Sequence, residues 1–279
     1  MELPLVTVIC LCHNQAAFIR EAVESVWQQT YANIQLIVVD DASSDNSAEV
    51  IRMIKKERPS IELLLLDHNL GNCKAFNRGL SLAKGRYVID LAADDILLPE
   101  RVARGVDTLE SAGEPCGVHF TDALLIDEKG VPLHRHSDKI QLKTIPTGNV
   151  YESVISHYFV CSPTMMMRKK VLDGLGGYDE SLQYEDFDFL IRSSRNYLFA
   201  YTDEVLVKQR VRKGSLSERQ FRPGSDHWKS TLRVLEKVKE LNASPSESRA
   251  LRNRILYELG FHLKRLSFFP AFNYLRLLF

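Results

Sequence analysis

A chain of 279 residues with 45% hydrophobic and 26% charged residues has the composition of a soluble globular protein, long enough for one large domain or two small ones. Its 36 Lys and Arg balance 36 Asp and Glu, so the chain as a whole makes no electrostatic case for nucleic acid. Five scattered cysteines without metal-ligand spacing read as buried thiols of a reducing compartment, and the apolar stretch 5–12 is too short for a secretory signal or a membrane span.

Residues 5–12 are apolar on both faces, as a parallel strand covered by helices is. A helical pattern follows over about 14–29, with Phe18, Ala22 and Val26 on one side. Residues 34–39 form a second strand ending at Asp40-Asp41, and Ser44 or Asp45 can cap the helix that runs to about Lys56. A third strand covers 61–66, a helix about 73–83 stopped by Gly85, and a fourth strand 87–91. This alternation over the first 95 or so residues predicts a doubly wound parallel sheet. Ligands of such sheets bind beyond the carboxyl ends of the strands, where Asn14, Asp40-Asp41 and Asp94-Asp95 all fall. The adjacent carboxylates of Asp94-Asp95, closing a buried strand, are costly unless compensated, and a divalent cation with its phosphate ligand would compensate them.

Beyond residue 95 the pattern is less regular. It predicts a helix over 99–111, a strand over 117–126 turned by Asp127-Glu128-Lys129-Gly130, and a mobile, pattern-free loop over 134–148. A helix over 184–196 and a strand over 197–210 follow. In the basic stretch 210–222, Arg210, Arg212, Lys213, Arg219 and Arg222 face a single acidic residue, Glu218. From about Ser225 the pattern is helical, with Leu251, Ile255, Leu259, Leu263 and Leu266 forming an apolar stripe. Residues 249–279 hold six Lys and Arg against one Glu, together with five Phe and Tyr between 268 and 279. That combination suits an anionic membrane surface, a helical annex packed on the catalytic domain, or self-association.

No GxGxxG follows the first strand, which continues Leu11-Cys12-His13-Asn14-Gln15, and no GxxxxGK[ST] loop occurs. Phosphate would have to be held by metal and side chains. Val6-Thr7-Val8-Ile9 with His13-Asn14, Ser25-Val26-Trp27-Gln28-Gln29-Thr30-Tyr31 and Val38-Val39-Asp40-Asp41-Ala42-Ser43-Ser44-Asp45 resemble the opening of the family 2 inverting glycosyltransferases of GT-A fold. Asn69-Leu70-Gly71, Asn77-Arg78-Gly79, Ala93-Asp94-Asp95, Gly176-Gly177-Tyr178-Asp179-Glu180 and Glu185-Asp186-Phe187-Asp188 continue the resemblance, over roughly 4–218.

The resemblance implies a Rossmann-like, mostly parallel sheet flanked by helices, as a catalytic domain over 1–223 with a helical extension over 224–279. It implies transfer of a sugar, with inversion, from a nucleotide-diphosphate donor, usually a UDP-sugar, to a glycan or lipid-linked acceptor hydroxyl in surface polysaccharide biosynthesis. Asp41 matches the residue that accepts from the base, an acceptor-only role suited to a carboxylate. Leu11 and His13 match backbone and ring contacts to the nucleoside, with His13 where the family often has Tyr, and Asn14 joins them in the nucleotide-sugar-binding set. Asn77 matches a residue near the donor phosphates. Asp95 matches the binding site for Mn²⁺ or Mg²⁺, cations that hard oxygen ligands select, with Asp94 beside it contacting ribose or metal. Asp186 matches the catalytic base, and Glu185 next to it a carboxylate that raises its proton affinity.

The chain departs from the family pattern at Ala92, where an Asp is commonest, and at Arg212, which replaces a His able to ligate metal and can instead bind phosphate. The implied location is cytoplasmic, or peripheral at the inner face of the cell membrane, with the C-terminal helices as the membrane or self-association contact. A non-catalytic nucleotide-sugar binder on the same fold is the alternative. A nucleotidyltransferase is a third reading, weakened because residues 12–18 contain neither Gly nor Lys or Arg.

Overall fold

In the computed structural model, residues 3–213 and 225–279 are described. The described residues form nine strands: β1 (Val6–Cys12), β2 (Ile34–Asp40), β3 (Glu62–Leu65), β4 (Tyr87–Ala92), β5 (Ile96–Leu97), β6 (Cys116–Ile126), β7 (Pro132–Arg135), β8 (Met166–Arg168) and β9 (Leu198–Arg210). Helices α1 (Ile19–Trp27), α2 (Ser47–Glu57), α3 (Asn72–Leu80) and α4 (Arg101–Ala112) alternate with the early strands. Then come α5 (Tyr151–Ser156), α6 (Lys169–Leu175), α7 (Asp186–Ser194), α8 (His227–Leu241), α9 (Pro245–Lys264) and α10 (Phe268–Leu277).

The strands make one sheet in the order β3-β2-β1-β4-β8-β6-β9-β5, with β7 on β6. Its first four strands are parallel, as the early alternation predicts. The second half is mixed rather than mostly parallel. The short β8 runs antiparallel between β4 and β6, β5 and β7 are antiparallel additions, and β6 pairs parallel with β9 across three register shifts.

Side chains alternate across β1 with the period of an extended strand. Val6, Val8, Cys10 and Cys12 pack with α1, α2 and α4, while Ile9 and Leu11 face α3, α5 and α7. All five cysteines are buried thiols. The second core also takes Val234, Leu235 and Val238 of α8, Leu251 and Ile255 of α9, and Tyr274 of α10. The C-terminal helices therefore share their core with the sheet. The expected boundary at 223/224 falls at the edge of the segment outside the described residues, as do Glu218, Arg219 and Arg222. The apolar stripe of α9 is only half covered, since Leu251 and Ile255 are buried but Leu263 and Leu266 are exposed.

The segment 134–148 opens with β7 and a 3-10 turn at Ser137–Lys139. Buried Asp122 secures that turn, accepting from the Ser137 amide at 3.1 Å and its hydroxyl at 2.6 Å. Among the described residues no helix is long and apolar enough to cross a membrane.

Candidate active site

A cavity of about 1500 Å³ opens at the carboxyl ends of β1, β2 and β4. Leu11, His13, Asn14, Asp41, Asp94, Asp95, Glu185, Asp186 and Arg212 all line it, so nine of the ten residues singled out in the sequence meet there. Asn77 does not line it. Its side chain instead clamps the turn before α7, accepting from the Tyr178 amide at 2.9 Å and donating to the Tyr178 carbonyl at 2.9 Å. A Cβ on Gly177, whose φ is +79°, would stand 2.4 Å from the Asn77 amide oxygen, so this clamp requires glycine there. The cavity asparagine of α3 is Asn72, five residues earlier and so about 140° around the helix.

The end of β2 is organised by Asp41. Its two carboxylate oxygens accept from the Leu70 amide at 2.7 Å and the Gly71 amide at 2.9 Å, fixing the loop ahead of α3. Each oxygen keeps a lone pair for a further donor. His13 Nδ1 lies 2.7 Å from the Asp41 carbonyl oxygen, while Nε2 lies 3.0 Å from the Asn69 amide nitrogen and 3.1 Å from that of Asn14. A ring carrying its proton on Nδ1 donates to that carbonyl and leaves the single lone pair of Nε2 to be shared by the two asparagine amides. Asn14 and Ala42 both have positive φ, 55° and 51°. Asn14 tolerates this conformation, and its side-chain oxygen accepts from the Ser44 amide at 2.7 Å. Ala42 is strained there, and strain of this kind concentrates at functional sites.

At the end of β4 the two carboxylates are compensated by arginines. Asp94 accepts from Arg212 Nε at 2.5 Å, and Asp95 accepts from the Arg210 amide at 2.8 Å. Burial, then the neighbouring Asp94, pushes the Asp95 carboxyl well above the usual range. Arg210 is not part of an open basic surface. It is buried, donates to the Asp94 carbonyl at 3.0 Å and pairs with Glu21 at 2.6 Å. Both guanidinium groups lie over the Phe18 ring, at 4.8 and 5.3 Å.

The described residues hold no cluster of three or more His, Cys, Asp or Glu able to cage a metal. Asp94 and Asp95 do suit a magnesium-type site, in which one or two carboxylates act with substrate phosphates. A cation there would have to share Asp94 with Arg212.

On the opposite wall, Asp186 is the first residue of α7, where the helix dipole favours an anion. Its Oδ2 accepts from the Tyr158 hydroxyl at 2.6 Å and the Ser162 hydroxyl at 3.1 Å, and Oδ1 accepts from the Phe187 amide at 2.7 Å. A carboxylate offers about four lone-pair sites, so one remains, on Oδ1. Glu185 accepts from Asn72 at 2.5 Å, and burial with Asp90 nearby pushes its carboxyl up to about 8. Asp90 accepts from the Tyr178 hydroxyl at 3.2 Å and is pushed by burial up to about 7. The N-terminal end of α7 is braced by Lys237 of α8, which binds Asp179 at 2.6 Å and Asp188 at 2.5 Å.

Tyr158, Ser162, Asn72 and Asp90 were not legible as site residues. The first two reach Asp186 across 28 and 24 residues of chain with no local pattern. Asp90 did carry a signal, a carboxylate inside an otherwise apolar strand.

The wall carrying Asp41 and Asp94-Asp95 thus faces a well-anchored Asp186 across one cavity. Residues 7–176 match the family described as Glycosyl transferase family 2, and the chain belongs to that family. An uncharacterised glycosyltransferase of Methanocaldococcus jannaschii is 31% identical over 216 residues, 76% of this chain and 72% of that protein. The succinoglycan biosynthesis protein ExoO of Rhizobium meliloti is 26% identical over 197 residues, 69% of this chain and 56% of that protein. Two solved structures share the fold. TarS residues 1–349 of S. aureus, in complex with UDP-GlcNAc, superposes with a TM-score of 0.70 at 19% identity, over 93% of this chain and 73% of that one. The mannosyltransferase PcManGT of Pyrobaculum calidifontis, in complex with GDP-Man and Mn²⁺, gives 0.69 at 18% identity, over 98% and 74%. The chain is thus a glycosyltransferase of GT-A type with a helical C-terminal region.

Proposed function

We propose that this glycosyltransferase moves a sugar, with inversion, from a nucleotide-diphosphate donor, in the first instance a UDP-sugar, to an acceptor hydroxyl on a glycan or lipid-linked glycan of a surface polysaccharide. The observation that carries the reading is the convergence of Asp41, Asp94-Asp95 and Asp186 on one cavity from three separate parts of the chain. UDP-GlcNAc in TarS and GDP-Man in PcManGT support a nucleotide-sugar donor, and the role of ExoO in succinoglycan biosynthesis supports a polysaccharide product.

In this reading Asp41 accepts from the base, and Leu11, His13 and Asn14 border the nucleoside. Mn²⁺ or Mg²⁺ held by Asp95 and Asp94 would neutralise the departing diphosphate. Arg212, turning from Asp94, would add a bidentate contact to the same phosphates. Asp186 takes the acceptor proton on the remaining lone pair of Oδ1 as the acceptor oxygen attacks the anomeric carbon and the nucleoside diphosphate leaves from the opposite face. Tyr158 and Ser162 keep the carboxylate turned for that transfer. Glu185, its carboxyl pushed up to about 8 by burial and by nearby Asp90, would carry little second negative charge beside the base near neutral pH.

Thermal-shift measurements with nucleotide sugars, with and without Mn²⁺, test the donor side. Stabilisation by one donor that is lost without metal supports the reading, while indifference to every nucleotide rejects it. A second reading, a non-catalytic nucleotide-sugar binder, is favoured by the Arg212–Asp94 pair together with Ala92. Tight UDP binding without turnover of any donor would select it.

A further inference from the structure

The outer face of the C-terminal helices is unlike the rest of the surface. In α10, Ala271 and Tyr274 point into the core, yet the residues on the other side are also apolar. Leu266, Phe268, Phe269 and Phe272 are 75%, 65%, 70% and 58% exposed, and Tyr257 and Leu275 extend the same region. A helix that is apolar all round is normally covered on every side. Contiguous apolar surface of this kind marks an interaction face.

Charge decides what covers it. Residues 249–279 carry six Lys and Arg and one Glu, a net of +5, and Lys264, Arg265 and Arg276, which flank the exposed aromatics in sequence, are themselves exposed. A symmetric contact between two copies would bring the same positive surface against itself, which opposes association. An anionic lipid surface takes both features, the aromatics entering the interface and the cations meeting headgroups. The face also borders the site, since Tyr257, Phe268, Phe269 and Pro270 line the same cavity as Asp186.

We infer that the face formed by the end of α9 and by α10 is a docking surface for an anionic lipid bilayer, and that it sets the cavity mouth on the membrane so that the acceptor arrives carried on a lipid. The docking stands on the exposed face alone, whereas the lipid-borne acceptor rests on the proposed function.

The test is co-sedimentation of the full chain with vesicles of phosphatidylcholine, with and without phosphatidylglycerol. The expected result is binding that requires phosphatidylglycerol and weakens in high salt. Phe272→Glu with Leu266→Asn alters two residues outside the cavity lining, and Asn tolerates the positive φ of 56° at position 266. This variant should lose about tenfold or more in vesicle partition while its stabilisation by UDP stays unchanged. Arg276→Glu should lose about fivefold or more. Absence of binding to phosphatidylglycerol vesicles would overturn the inference. So would binding that neither variant weakens, or a concentration-dependent dimer that Phe272→Glu dissolves in a chain that ignores vesicles. Vesicle binding in a chain that UDP does not stabilise would support docking and count against the nucleotide reading alone.

Discussion

Arg212 donates from Nε to Asp94 Oδ2 at 2.5 Å, across the place where donor phosphates would meet the end of β4. The pair is largely buried, so removing one partner leaves the other poorly compensated. In the proposed function the same guanidinium binds the diphosphate. Arg212→Ala should therefore raise the donor KM about 10- to 100-fold or more, since each charge-assisted hydrogen bond lost is worth about 1.5–3 kcal/mol. Steady-state donor titrations check this, and an unchanged KM would remove Arg212 from the donor site.

Asn77 joins α3 to the Gly177-Tyr178 turn through both backbone groups of Tyr178. Asn77→Ala should destabilise the chain by about 1–3 kcal/mol through orphaned polar groups. Thermal denaturation should show a drop of roughly 2–4 °C for each kcal/mol. UDP affinity should not change, whereas a phosphate-binding asparagine would give the reverse pattern.

Tyr158 is 50% exposed, yet its hydroxyl end donates to Asp186 Oδ2 at 2.6 Å; desolvation of that end and the neighbouring carboxylate push the phenol up, so it stays a donor throughout the working range. Tyr158→Phe should lower kcat about tenfold and leave the donor KM nearly unchanged, because only the aim of the base is altered. A loss confined to KM would place Tyr158 in donor binding.

Asp90 and Glu185 are carboxyls raised by burial, up to about 7 and about 8. Unfolded, both titrate near 4, so between about pH 4 and 8 the folded chain binds more protons than the unfolded one. Their contribution to stability is full below about pH 4 and is lost as pH rises through 7 and 8. Buried neutral His119, lowered by burial, gives a slope of the opposite sign in wild type and variant alike, so the effect of the carboxyls is read as a difference: between about pH 5 and 8 the melting temperature of Glu185→Gln should fall less, or rise more, with pH than that of wild type. An identical slope in the variant would show that Glu185 is not held protonated.

The parallel half of the sheet is legible because β1, β2 and β4 are predominantly apolar runs punctuated by turn residues, and the strand ends point to Asp41 and Asp94-Asp95. The second half is not. β8 has three residues, one of them Arg168, buried by donating to the Cys116 and Leu109 carbonyls at 2.8 and 2.6 Å, and no periodicity announces such a strand. Asn77 and Asn72 differ only by helix phase, which residue type alone does not fix. Arg210 reads as basic surface until its five hydrogen bonds, one from its amide, are seen.

The central claim is that Asp186 is the base of a glycosyl transfer. Release of nucleoside diphosphate from a panel of UDP-sugars and GDP-mannose, with Mn²⁺ present, tests it most directly in wild type and Asp186→Asn. One donor should be turned over, slowly to water alone, and the variant should fall about 10²- to 10⁴-fold while binding UDP as before. Turnover unchanged in Asp186→Asn, or nucleotide binding with no turnover of any donor, would contradict it.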